Sequence, residues 1–192
     1  MKKYKFRQIN VNDVISMAEL LLERQRIELI HFPCLMSEIL NESYMVKTLK
    51  ELYDKNRLVG SGAYLNGTLV GYLFGLIKID TERGRYAWIP YEGIAVKESE
   101  NKELMTKLYA EVSQLWLQHG CYNHYAVLPV GDKRYVDAFQ RLSFAYEQVH
   151  GILNIDKYKP FDVKSEVNVR IANESDRDII SSLSDIIFSY QN

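Results

Sequence analysis

The sequence predicts an α/β protein, and three observations carry that expectation. Strand-type and helix-type periodicities alternate along the chain, a tight-turn dipeptide, Asn66-Gly67, separates two β-rich runs, and a strand ending at Val96 gives way to a long amphipathic helix. Of the 192 residues, 47% are hydrophobic and 26% charged, which provides the apolar material for a sizeable core. Collagen, disorder and a disulfide scaffold are excluded.

Tyr4 to Ile9 alternates apolar and polar residues as a half-buried strand does. Asn10, Asn12 and Asp13 then offer capping side chains ahead of Val14, Met17, Ala18, Leu21 and Leu22, which share one helical face. A second helical stretch covers 34–55, interrupted near Asn41. Leu58 to Leu65 and Thr68 to Ile79 form a hairpin, because Asn66-Gly67 accepts the positive φ angles of a type I′ turn. Tyr86 to Val96 reads as one strand with Pro90 at a bulge or edge. Leu104, Leu108, Val112, Leu115 and Trp116 mark a helix stopped by Gly120. Strand 122–130, helix 133–142 and strand 145–155 complete the order βααβββαβαβ.

These elements make one module over residues 1–155. A polar, proline-containing linker is expected over 156–166, and a second strand-cap-helix unit over 167–192. That unit repeats the first: Arg7, Asn10, Asp13, Met17 and Leu20 correspond at constant spacing to Arg170, Asn173, Asp176, Ile180 and Leu183. It stops unfinished at Asn192, as a truncated chain would. The uncovered face of Ile179, Ile180, Leu183 and Ile187 makes self-association through the C-terminal helix an expectation.

With 24 Lys+Arg against 25 Asp+Glu, the net charge of -1 leaves no bulk attraction to nucleic acid or to anionic membrane. No apolar run reaches the roughly 20 residues of a membrane span. Cys34 and Cys121 are expected to be free thiols in a reducing compartment, the cytoplasm by default. His119, Cys121 and His124 do not suggest a metal site, since Cys121 and His124 would face opposite sides of a strand.

The element order, the central hairpin and the junction after Ile94-Ala95-Val96 resemble the GNAT acyl-CoA N-acyltransferase superfamily, from residue 4 to about 150 and again from 167. The resemblance implies a mixed, mostly antiparallel sheet flanked by helices and splayed between its fourth and fifth strands. It also implies acetyl-CoA as co-substrate, lying along Ile94, Ala95 and Val96. Its pyrophosphate would rest on the next helix N-terminus, at Asn101, Lys102, Glu103, Leu104, Met105 and Thr106. Asn101 takes the place of the family's Arg or Gln, and Lys102, Leu104 and Thr106 take the places of its glycines. Lys102 reads either as a point charge on phosphate or as a solvated lysine.

By the same resemblance Glu92 is the candidate base for an attacking amine, or else an exposed or ion-paired strand residue. Burial beside Trp88, Tyr91 and Ile94 would raise its pKa. Gly93 either exposes a backbone N–H to the thioester oxygen or is a packing gap. Counting back from Ser143-Phe144, the position of the family's acid tyrosine is Phe139, which has no proton to give, and Asp132 holds the place of its asparagine. Tyr135, one helical turn earlier, is the candidate substitute.

The implied function is acetyl transfer from acetyl-CoA to a primary amine, on a small molecule or a peptide, by direct attack. The alternative is a catalytically degenerate module serving as structural or ligand-binding partner of a second, catalytic one. A substrate-binding domain unrelated to CoA stays open.

Overall fold

Backbone pairing gathers six strands into one mixed sheet: β1 (Lys5–Gln8), β2 (Leu58–Leu65), β3 (Thr68–Asp80), β4 (Gly84–Ile89), β5 (Ile94–Val96) and β6 (Asn123–Ala126). The structure, a computed structural model, describes residues 3–35, 40–54, 58–157, 159 and 169–191. Contacts divide the chain into two units, Met1–Asn154 and Ile155–Asn192. In the first the strand order is β1-β2-β3-β4-β6, antiparallel except for the parallel β4–β6 pair, while β5 pairs with β3. The α/β expectation holds, and so does the hairpin: Asn66 and Gly67 have φ of 51° and 85°.

Helices α1 (Val14–His31) and α2 (Glu42–Asp54) belong to one apolar cluster. Met17, Ala18, Leu21 and Leu49 meet Leu69, Tyr72 and Phe74 there. Helices α3 (Glu103–Gln118) and α4 (Lys133–Arg141) belong to the other, built around Leu104, Leu108, Val112, Trp116 and Phe139. Each fully buried Leu or Phe stabilises by about 1.5–3 kcal/mol over an exposed one. Trp116 is placed by a hydrogen bond from its indole N–H to the Val59 carbonyl, 3.0 Å, and by Gly75, where a Cβ would stand 2.8 Å from the indole ring.

Three strand expectations are corrected. Tyr86–Val96 is two strands, because Pro90 cannot donate to the ladder and is followed by a 3-10 turn, Tyr91–Gly93. The strand expected over 122–130 pairs only at Asn123–Ala126. Residues 145–154 form no strand. No ladder reaches them, and Tyr146, Val149, Ile152 and Leu153 are exposed. The helix expected over 34–55 begins at Glu42, with Met36 and Ile39 outside the described residues, as is most of the 156–166 linker.

Helix ends follow local chemistry. Asn10 forms a capping box with Asp13 at the turn Val11–Asp13 that leads into α1. The Asp13 carboxylate accepts both Arg7 Nη atoms at 2.8 and 2.7 Å, the Asn10 N–H at 2.9 Å and the Tyr64 hydroxyl at 2.8 Å. The second unit contains the turns Ile155–Lys157 and Glu174–Asp176 and helix α5 (Arg177–Gln191). It repeats this cap: Asp176 accepts both Arg170 Nη atoms at 2.7 Å and the Asn173 N–H at 2.8 Å. At the end of α4 the N–H of Phe144 bonds the Phe139 carbonyl and that of Ser143 the Gln140 carbonyl, with Ser143 at φ 69°. This Schellman ending favours glycine.

Ser143→Gly is therefore expected to raise stability by about 0.5–1 kcal/mol in chemical denaturation, since glycine adopts positive φ without steric cost. Burial works against the Asp13 charge, but the Arg7 fork, the Asn10 amide and the Tyr64 hydroxyl outweigh it and hold the carboxyl below its usual range. The stability this contributes is present above about pH 4 and is lost as pH falls through the depressed value. Asp13→Asn should cost about 1–3 kcal/mol at neutral pH, toward the lower figure because Arg7 is half-exposed, and should flatten the acid limb of the stability profile.

Candidate functional site

The break after β4 creates the site. Strand β3 pairs Leu76 with Trp88 and then Leu73 with Ile94, so two β3 residues stand opposite five between β4 and β5, a large bulge. Gly93 fits the tightest point. Its N–H donates to the Pro90 carbonyl at 2.7 Å, and a Cβ would lie 2.8 Å from the Phe74 carbonyl oxygen. That N–H is therefore not free for a thioester oxygen, and Gly93 serves packing. Strand β6 follows β4 only to the pair Ile89–Ala126 and the bond from the Val127 N–H to the Ile89 carbonyl. Past Pro90 the two strands part.

The splay leaves one edge of β5 without a neighbouring strand. The Lys97 N–H bonds the Val70 carbonyl, so by antiparallel alternation Ala95 points its peptide groups at β3 while Ile94 and Val96 point theirs away from it. Side chains meet them. Arg24 of α1, 1% exposed, donates Nη1 to the carbonyls of Tyr91 at 2.6 Å and Ile94 at 2.5 Å, and its guanidinium lies 4.3 Å above the Tyr91 ring. The Val96 N–H donates to the Tyr135 hydroxyl at 3.0 Å. The Glu98 N–H donates to the Glu23 carboxylate at 2.6 Å, and the Glu98 carbonyl accepts Arg134 Nη1 at 2.7 Å. Across the splay, Glu28 of α1 accepts the N–H groups of Gly131 and Asp132 at 3.2 and 3.0 Å.

Tyr135 is fully buried on α4, and burial pushes its pKa up to about 12. It holds its proton firmly at neutral pH. Phe139 is buried against Tyr109 and Phe144. Asp132 caps α4, accepting the Arg134 N–H and its guanidinium. Glu92 is the middle residue of the 3-10 turn, half-buried, and its carbonyl accepts the Tyr72 hydroxyl at 2.9 Å.

At the start of α3, the Asn101 side chain accepts the Glu103 N–H at 3.2 Å, and Lys102 pairs with Asp137 at 2.5 Å. Leu104 and Met105 face the core, and Thr106 is half-buried. Nearby, a groove of about 830 Å³ is lined by Ile27, His31, Phe32, Glu98, Gly131 and Arg134. Cys121 is buried, and His124 lies between the Tyr109 hydroxyl and the Cys121 carbonyl.

Solved structures resemble this fold over most of the chain. A predicted acetyltransferase of Clostridium acetobutylicum with acetyl-CoA superposes with TM-score 0.61 at 13% identity, over 81% of this chain and 99% of its own. The chain has the GNAT acyltransferase fold. The ribosomal-protein-alanine N-acetyltransferase of Brucella melitensis biovar Abortus superposes at 0.58 and 13% identity, covering 80% of this chain and 100% of that one. An aminoglycoside N-acetyltransferase in complex with CoA gives 0.59 and 17%, covering 81% and 97%. No protein-family model matches the sequence, and no curated protein matches it significantly.

The amides of Val96 and Glu98 are bonded within the protein, and the buried Glu100 carboxylate accepts the Tyr4 hydroxyl at 2.5 Å. Of the residues singled out in the sequence, the structure brings Val96 and Tyr135 into contact, with Ile94 beside them on β5. Asn101 to Thr106 stand at the adjoining helix start, and Glu92 stands on the bulge. Sequence reasoning missed Arg24, Glu28 and Glu23. The signal was there: Arg24 and Glu28 continue the buried face of Met17 and Leu21, where charged residues are rare unless partnered.

Gly131→Ala tests the bridge across the splay. A Cβ there would lie 2.8 Å from Glu28 Oε1, so the carboxylate must shift from its place on the two amides. A loss of about 1–3 kcal/mol is expected in denaturant unfolding.

Proposed function

We propose that this chain is an acetyltransferase-family protein whose described unit keeps the acyltransfer fold with its cofactor groove filled by its own side chains. In this reading it is the structural or ligand-binding partner of a second, repeated unit. The carrying observation is the Val96 N–H on the Tyr135 hydroxyl, at the edge along which an acyl-CoA would have to lie. The repeated Arg–Asp cap at Arg7 and Asp13 and at Arg170 and Asp176 supports the duplication, with 167–192 as the opening of the second module. The exposed face of Ile179, Ile180 and Leu183 on α5 is the surface through which copies would self-associate.

A second reading is direct transfer from acetyl-CoA to a primary amine with Glu92 as base. Neighbours of this fold solved with acetyl-CoA and with CoA favour it, as does the place of Glu92 on the bulge. An aminoglycoside N-acetyltransferase among those neighbours supports a small-molecule amine as acceptor. This reading requires Tyr135 to withdraw from Val96. Free Cys34 and Cys121 accord with the cytoplasm, and among the described residues no helix is long and apolar enough to cross a membrane.

Thermal unfolding with millimolar acetyl-CoA separates the two. The filled-groove reading expects an unchanged melting temperature, because a ligand that the native state does not bind cannot stabilise it. A concentration-dependent rise, together with Glu92→Gln lowering turnover more than CoA affinity, would establish the enzymatic one.

A further inference from the structure

We propose that Arg24 and Tyr135 act together as a built-in surrogate for an amide-bearing ligand, occupying the open edge of β5 so that an extended amide chain is excluded until Tyr135 leaves. The inference rests on the filled-groove reading and deepens it. A residue of a neighbouring parallel strand would give its N–H to the Ile94 carbonyl and take the Val96 N–H on its own carbonyl. Here Arg24 Nη1 supplies the donor, at 2.5 Å from the Ile94 oxygen, and the Tyr135 hydroxyl supplies the acceptor, at 3.0 Å from the Val96 nitrogen. The two side chains come from α1 and α4, on opposite sides of the sheet, and meet the same edge. Glu23 extends the imitation by one further group, accepting the Glu98 N–H.

Two further features fit a device made to fill a gap. Arg24 is 1% exposed, yet among the described residues its Nε and Nη2 make no hydrogen bond, the Tyr91 ring facing the group instead, so Nη1 makes all of its hydrogen bonds. Glu28, one turn along α1, accepts the Gly131 and Asp132 amides, so α1 is bonded both to β5 and to the segment that leads from β6 into α4. The ligand class that the edge would take is set by the group exposed when the hydroxyl is removed: the Val96 N–H, a backbone donor beside an Ile94 carbonyl that Arg24 keeps bonded, which suits the carbonyl of a neutral, extended secondary amide.

The test uses the 192-residue chain, labelled with 15N, and pantetheine as probe, since its arm carries two secondary amides and no phosphate. In the unaltered chain the Val96 amide should exchange slowly and stay unmoved by millimolar pantetheine. Tyr135→Phe keeps the ring but loses the hydroxyl. It should speed exchange at Val96 by about five-fold or more while leaving Lys97, bonded to Val70, unchanged. Tyr135→Ala should let pantetheine shift the Val96 resonance saturably.

Three results would overturn the proposal: a pantetheine response in the unaltered chain, equal acceleration at Val96 and Lys97 in Tyr135→Phe, or a folded Tyr135→Ala indifferent to pantetheine. If Tyr135→Ala does not fold, the exchange contrast in Tyr135→Phe decides alone. An unaltered chain that ignores acetyl-CoA beside an indifferent Tyr135→Ala would leave the filled-groove reading standing and remove only the surrogate. Stabilisation of the unaltered chain by acetyl-CoA would remove both.

Discussion

A strand edge buried inside a protein must have its backbone donors and acceptors satisfied, and β5 has lost its neighbour on one side. Each such group left bare would cost on the order of 1–3 kcal/mol. Much else in the first unit follows from meeting that demand. Arg24 and Glu23 are spent on it from α1, Tyr135 and Arg134 from α4, and the axial position of α1 is fixed by having to reach Tyr91, Ile94 and Glu98 at once. A buried guanidinium without a carboxylate partner is an expensive object. It is tolerated because two carbonyls and the Tyr91 ring face it.

The sheet makes this arrangement rigid. Cores lie on both of its sides, and β3 contributes to each, with Val70 and Leu73 in one cluster and Leu69, Tyr72 and Phe74 in the other. Tyr72 joins the two themes. Its ring is buried among α1 side chains, and its hydroxyl donates to the Glu92 carbonyl, so the bulge is pinned from beneath. The hydroxyl sits in a fully buried setting that pushes its ionisation far above the ordinary tyrosine range, which leaves it a donor at any physiological pH. Glu92 therefore occupies a fixed place in the molecule whatever its chemical part.

Elements whose geometry is written in neighbouring residues were legible in the sequence. Asn66-Gly67 specified its turn, Asn10 with Asp13 its cap, and Gly120 its helix stop, where φ is 74°. The fold class followed from the order of such elements. Long-range consequences were not legible. That Pro90 splits one β run into two depends on the bulge against β3, and the absence of a strand over 145–154 depends on a partner that no local pattern reports. The site was half visible. Val96 and Tyr135 were picked out separately, but their hydrogen bond joins positions 39 apart in sequence. The charges on the inward face of α1 gave a warning that periodicity alone did not translate into contacts.

The two caps differ in one respect with a kinetic meaning. At Asp13 the Tyr64 hydroxyl joins from the distant hairpin, whereas the Arg170–Asp176 fork closes at 2.7 Å to both Nη atoms from within a seven-residue span, in an exposed setting. The common part of the motif is thus complete before any long loop has to close, and loop closure is what makes assembly slow. Such a cap needs nothing beyond its own helix start. The tyrosine contact needs the hairpin as well, and it registers α1 against the sheet.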